Sequence, residues 1–195
     1  TVPRLIARGI PIRVMTRDKD KAQALPGFAG AEVVVADPAR PETLDAAFSG
    51  ADKVFLIPPS GPGADVLEQN LIDAARRAGV KHVVKLSASC ASPDAPSMAL
   101  SFNYHGEQKL KASGIPYTIL RPSSFMQNFI NDPHLSSICN EDSIFSATGS
   151  GQVPFISVED IAAVAFHALT SMEPIGQDLI LTGSELLTYD DVADI

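Results

Sequence analysis

Ser87, Ser89, His105 and Lys109 are the residues of this chain whose types and spacing suit proton transfer. Ser87 and Ser89 follow His82 to Leu86 (HVVKL), a short apolar run that reads as a buried parallel strand, and open parallel sheets hold their ligands just past such ends. Ser101, His105 and Lys109 are each one turn apart in SFNYHGEQKLKASG and share one helix face. An ammonium one turn from an imidazole, with a serine hydroxyl nearby, can act as a general acid–base relay. The alternative for His105 and Lys109 is a solvated helix surface. His82, His134 and His167 lie in unrelated elements, form no metal constellation and read as structural.

The elements that must position these groups alternate along the chain. Thr1 to Arg8 reads as a helix closed by Gly9, then IPIRVM (Ile10 to Met15) as a strand, and Thr16 to Leu25 as a loop with a short helix. EVVVA (Glu32 to Ala36) is a strand closed by Asp37-Pro38. Pro41 opens a helix that Gly50 stops, and KVFLI (Lys53 to Ile57) is a strand stopped by Pro58-Pro59. Asp65 to Ala78 is the clearest helix, with Leu67, Leu71, Ala74, Ala75 and Ala78 along one side. In the next helix Ala99, Phe102, Gly106 and Leu110 form a stripe that can lie on a sheet, and YTIL (Tyr117 to Leu120) follows as a strand. Asn131 to Val153 reads as irregular. Ser157 caps a helix, with Asp160 in capping-box position and Val158, Ile161, Ala162, Ala165 and Leu169 as its buried face. DLILT (Asp178 to Thr182) is the last strand, and Thr188 starts another helix.

Strands alternating with helices imply right-handed crossovers and a doubly wound, Rossmann-like parallel sheet covered on both faces, in a single domain over residues 1–195. Residues from about 123 to 195 would include part of a small substrate-binding region. In that fold the first strand lies at the centre of the order 3-2-1-4-5-6, and a glycine-rich turn after it holds a cofactor pyrophosphate. No strand precedes IPIRVM here and no such turn occurs in the sequence. The expected sheet therefore has a slot between IPIRVM and KVFLI. Unpaired buried backbone groups cost roughly 1–3 kcal/mol each, so the expectation is that the protein extends upstream of Thr1, and past Ile195 as well.

The fold gives several other residues a role. Thr16, Arg17 and Lys21 follow the strand beside which a dinucleotide's adenosine ribose lies, where cations suit the 2′-phosphate of NADP and an acidic residue, such as the adjacent Asp18, would suit NAD; a solvated charged loop is the alternative. Asp37 could accept from the adenine amino group or close a local Asp-Pro turn. Ile57, Pro58 and Pro59 leave carbonyls and an apolar wall at a strand end, or simply terminate the strand. In Pro122 to Asn128 (PSSFMQN), Phe125 and Met126 could close over a flat ring and Ser123 and Ser124 could bond its amide; core filling is the alternative.

Composition narrows the partners. The chain has 195 residues, 45% hydrophobic and 19% charged, with a formal net charge of −8, values that suit one globular domain. The acidic balance argues against nucleic acid or anionic membrane as the main partner. No apolar run approaches a membrane span. Cys90 and Cys139 form no metal or redox pattern and suggest free thiols in a reducing compartment such as the cytoplasm. A small-molecule substrate fits these constraints, and a homodimer is compatible with them.

Taken together, HGEQKLKASGIPYTILRPSSFMQN, VPFISVEDIAAVAFHAL and DLILTGSELLTYDDVA resemble the NmrA-like family of atypical short-chain dehydrogenases/reductases over essentially the whole chain. The family includes NAD(P)H-dependent quinone and azo-dye reductases, isoflavone-reductase-type enzymes and redox sensors that bind NADP without turning it over. The resemblance implies that Arg17 and Lys21 contact the 2′-phosphate. It also implies that Ile57, Pro58, Pro59, Ser87 with its neighbour Ala88, Pro122, Ser123 and Phe125 form the cofactor wall. His105 matches a histidine often found near the tyrosine of ordinary relatives. Those relatives use a Tyr-x-x-x-Lys pair; here Tyr104 has Gln108 at that spacing, and the interval from His105 to Ser113-Gly114 is shorter than the family's usual one. The implied function is NADP-dependent hydride transfer to a small flat electrophile such as a quinone, with His105, Lys109 and Ser87 as the catalytic set. The alternative is an NADP-binding redox sensor that acts through a protein partner.

Overall fold

In the computed structural model, residues 24, 25, 60, 62, 96 and 173–175 lie outside the described residues, as do the side chains of Lys21, Gln23 and Pro26. The strands are β1 (Arg13–Thr16), β2 (Glu32–Val35), β3 (Lys53–Leu56), β4 (His82–Leu86), β5 (Tyr117–Pro122) and β6 (Asp178–Leu181). Every ladder between them is parallel, with Met15 opposite Val34, Phe55 opposite Val84 and Leu120 opposite Leu179. The strands form two ladders, β1-β2 and β3-β4-β5-β6. Among the described residues no strand stands between β1 and β3, which is the slot expected from the sequence.

Helices α1 (Val2–Ala7), α2 (Lys19–Gln23), α3 (Leu44–Phe48), α4 (Ala64–Arg77), α5 (Met98–Ala112), α6 (His134–Glu141), α7 (Val158–Thr170) and α8 (Tyr189–Ala193) complete the chain. Successive side chains of a strand point to opposite faces, and the two cores follow from that. Val83 and Ile119 join Leu71, Ile72, Ala75 and Leu110 of α4 and α5 on one face. Val84 and Leu120 join Ala165 and Ala168 of α7 on the other. A sheet buried on both faces is a doubly wound α/β architecture.

Helix α3 links the two ladders. Leu44, Ala47 and Phe48 belong to the same buried cluster as Ala36 and Leu56, with Met15 and Val34 packed against it. Arg13 of β1 fixes this helix by donating from Nη1 to the carbonyls of Ala47 and Ser49 at 3.2 and 2.7 Å, which supplies partners for its C-terminal orphans. Its Nε donates to Glu32 of β2 at 2.9 Å.

Three local features differ from the sequence reading. The stretch expected to be irregular contains α6, whose Ser, Cys and Asn residues have modest helix propensity and give a weak signal. Ser157 caps α7 by accepting from the Glu159 N–H at 3.2 Å, without a reciprocal bond from Asp160. The full capping box occurs instead at α8, between Thr188 and Asp191.

Candidate functional site

Within each ladder the strands are parallel, so their C-terminal ends lie together, where such sheets bind ligands. Thr16 and Arg17 stand at the end of β1. The Thr16 hydroxyl accepts from the Asp18 N–H at 3.1 Å, a local turn that leaves Arg17 exposed. Lys21 falls in α2, and its side chain lies outside the described residues. Asp37, past β2, accepts from the Ala39 N–H at 2.9 Å and pairs with Arg40 at 3.7 Å, the geometry of the local turn.

At the end of β3, Ile57 is 61% exposed and Pro58 and Pro59 are half-buried. The two prolines face Ala99, Phe102 and Asn103 of α5 across a cleft of about 60 Å³, with Glu68 in its wall. The backbone past β4 continues the ladder: Ser87 N–H donates to Leu120 O at 2.7 Å and Ser89 N–H to Pro122 O at 2.9 Å, with Ala88 between them. Beyond β5, Ser123 N–H donates to Leu181 O at 2.9 Å, and Ile156 N–H to Ser124 O at the same distance, so Pro122 to Phe125 is held at the edge from both sides. Pro122 is buried, Phe125 half-buried and Met126 exposed.

The expected catalytic set is not gathered into one contact. His105 is exposed, with its ring edge-on to Tyr104 at 5.6 Å between centroids. Lys109, the next turn along, reaches α4 and donates to Asp65 O at 2.6 Å. Ser87 is 6% exposed, and its hydroxyl donates to Glu107 Oε1 at 2.5 Å. The four-residue spacing correctly put His105 and Lys109 on one side of α5, but α4 lies close enough to draw the longer side chain to itself.

Behind this edge is a buried charged layer that the sequence reading missed. Lys85 of β4 has no exposed surface and donates to Glu68 of α4 at 2.5 Å. Desolvation lowers the Lys85 pKa, opposed by the charges of Glu68 and Glu107. Glu107 of α5, also without exposed surface, accepts from Arg121 Nε at 2.9 Å and from its Nη2, a bidentate pair. The Glu107 hydrogen bond raises the Arg121 pKa further, and Asp178 adds a second carboxylate at 3.4 Å. A lysine inside the otherwise apolar HVVKL was the visible signal, since Lys is almost never fully buried unless paired.

A dinucleotide can be tested against this donor set. A cation stands at the β1 end, and an apolar wall with hydroxyls stands at the β3 to β5 end, which matches the phosphate-bearing adenosine half and the flat nicotinamide half. A glycine-rich pyrophosphate turn is not found among the described residues.

Parallel strands wound on both faces, with their polar and apolar groups collected at the C-terminal edge, define a Rossmann-like α/β protein. The sequence matches the NAD(P)H-binding family over residues 1–172, and the chain belongs to that family, consistent with its NmrA-like atypical reductase branch. It is 34% identical over 184 residues to an NAD(P)H azoreductase of Xenophilus azovorans, covering 94% of this chain and 63% of that protein. The Citrobacter triphenylmethane reductase solved with NADP(H) superposes with a TM-score of 0.81 at 28% identity, over 94% of this chain and 64% of that one. The NADPH-dependent quinone oxidoreductase of Escherichia coli, solved with NADPH, gives 0.85 at 27% identity, over 99% and 68%. The chain spans 63% of the azoreductase and 52% of a festuclavine dehydrogenase from Aspergillus fumigatus. No described helix is long and apolar enough to cross a membrane.

Proposed function

We propose that this chain is the cofactor-binding part of an NADP-dependent oxidoreductase that reduces a small flat electrophile such as a quinone or azo dye. The observation that carries this reading is the layout of one sheet edge, with exposed Arg17 at the β1 end and the Ile57 to Pro59 and Pro122 to Phe125 walls at the other. Arg17, with Lys21, would hold the 2′-phosphate, and Thr16 and Asp37 would border the adenosine. The apolar walls would exclude water from the reacting rings, and residues from about 123 onward would begin the substrate side.

A bound nicotinamide supplies the hydride. The contribution of the chain is then mainly orientation of two flat rings, with His105 on the exposed face of α5 as a titratable group able to hold a proton. Lys109 enters this reading only through what it holds in place, since its ammonium already has a partner on Asp65. The azoreductase, dye reductase and quinone oxidoreductase relatives support the substrate class.

A redox sensor is the second reading, favoured by the diversion of Lys109 to Asp65 and of Ser87 to Glu107, which leaves no ordinary proton relay assembled among the described residues. Titration with NADPH and NADH, followed by NADPH oxidation with a panel of quinones and azo dyes, separates the two. Preferred NADPH binding with turnover supports the reductase, and tight binding without turnover supports the sensor. Failure to bind either dinucleotide would overturn both.

A further inference from the structure

We propose that Glu107 is a positioning residue that makes Ser87 a hydrogen-bond acceptor toward the ligand edge, matched to the carboxamide N–H of a nicotinamide ring. The inference rests on the dinucleotide reading above. A hydroxyl has one proton to donate and two lone pairs, whereas a carboxylate only accepts. The Ser87 proton goes to Glu107 Oε1 at 2.5 Å. Glu107 has no exposed surface and is held by the Arg121 guanidinium through both oxygens, so it cannot turn away. Arg121 is tied in turn to Asp178.

The Ser87 backbone is fixed independently, by its N–H on Leu120 O at 2.7 Å. What remains of Ser87 for a ligand is its lone pairs. The group cannot offer a proton to a substrate carbonyl, as the serine of an ordinary reductase would. It can receive an N–H. The ladder β3 to β6 is the half of a doubly wound sheet that takes the second mononucleotide, and in a nicotinamide dinucleotide that half carries a carboxamide with two N–H donors. Glu107 therefore acts through Ser87 and touches no ligand itself.

The test compares binding of NADP⁺ with that of its 3-acetylpyridine analogue, in which a methyl group replaces the amide NH₂, by calorimetric titration of the intact protein. Wild type should prefer the amide by about tenfold, the worth of one hydrogen bond at about 1.4 kcal/mol. Ser87→Ala and Glu107→Leu, which leaves the hydroxyl no acceptor at position 107, should each reduce that preference to within about twofold. Glu107→Asp, which keeps an acceptor for the hydroxyl, should retain part of it. A ratio of affinities is not moved by general destabilisation, so a purely structural Glu107 would leave it intact.

Should Glu107→Leu not fold, pairing it with Arg121→Met removes the guanidinium left without its carboxylate, and the same loss of preference is expected. Tenfold preference surviving in folded Ser87→Ala or Glu107 variants overturns the proposal alone, as does a wild type without preference. No binding of either dinucleotide by wild type overturns the dinucleotide reading and this proposal with it.

Discussion

The Glu68 carboxylate lies against the Cα of Gly106, in the space that any side chain at that position would need: a Cβ built there falls inside contact distance of both Glu68 oxygens. Glycine at this helix-interior position is therefore what allows α4 and α5 to close over the Lys85–Glu68 pair. Gly106→Ala would normally favour a helix, by up to about 1 kcal/mol. Here it should destabilise, because the carboxylate must leave a fully buried ammonium, and breaking such a pair costs about 3–5 kcal/mol. Denaturant unfolding should show a loss of at least about 2 kcal/mol. Combining Gly106→Ala with Glu68→Leu and Lys85→Met should recover most of it. A single Gly106→Ala change that is neutral would mean that Glu68 has another low-energy position.

His82 sets an acid limit on stability. It has 1% exposure and shares a hydrogen bond of 3.0 Å with Thr118, and its Nδ1 is buried with no partner among the described residues. Desolvation, and then the Lys53 charge, lower its pKa. The unfolded chain, with a His pKa of about 6.5, then binds a proton more readily than the folded one. The stability contributed by neutral His82 is present above that value and is lost as pH falls toward the folded pKa. Unfolding measured from pH 8 to pH 5 should show this slope, and His82→Gln should flatten it. An unchanged slope would place the titration elsewhere.

The alternation of elements was legible because each strand is a short apolar run bounded by Pro, Gly or Asp, and because helix periods are plain in α4 and α7. The slot between β1 and β3 could be read from strand order alone. Which way a side chain turns was not legible. Lys109 sits at the right spacing from His105, yet its ammonium is used by Asp65, whose carbonyl comes within reach only once α4 and α5 pack. Glu68 and Glu107 carry no signal of their burial, since a helix pattern does not reveal that the opposing strand carries Lys85 or that β5 carries Arg121. Polar partners from four separate elements meet only through the tertiary fold, whereas apolar burial leaves a periodic trace in the sequence.

Arg17 is exposed just past β1, so its effect on cofactor choice can be measured without disturbing the core. A charge-assisted hydrogen bond to a phosphate is worth about 1.5–3 kcal/mol. Arg17→Ala should weaken NADPH binding by at least about tenfold and leave NADH binding nearly unchanged. The NADPH preference of the wild type should also shrink as salt is raised, because exposed charges are screened. Equal losses for both dinucleotides would assign Arg17 a role other than phosphate recognition.

Gln127 joins the ligand-edge segment to α7, and its effect should be cooperative with that of Ser157. Its Oε1 accepts from Val158 N–H at 2.9 Å and its Nε2 donates to Ser157 Oγ at 3.4 Å. Ser157 Oγ also accepts from Glu159 N–H. Two orphan donors of the first turn of α7 are thus satisfied by one linked pair of side chains. Removing a helix cap typically costs about 1 kcal/mol, and Ser157→Ala and Gln127→Ala should each cost about that much. Residues sharing partners are not additive, so the double variant should lose at least about 0.5 kcal/mol less than the sum of the two. A double-mutant cycle by denaturant unfolding measures this directly. Simple additivity would show that the turn after β5 and the start of α7 are held independently, and that the PSSF segment is anchored by its backbone bonds to Ser89, Leu181 and Ile156.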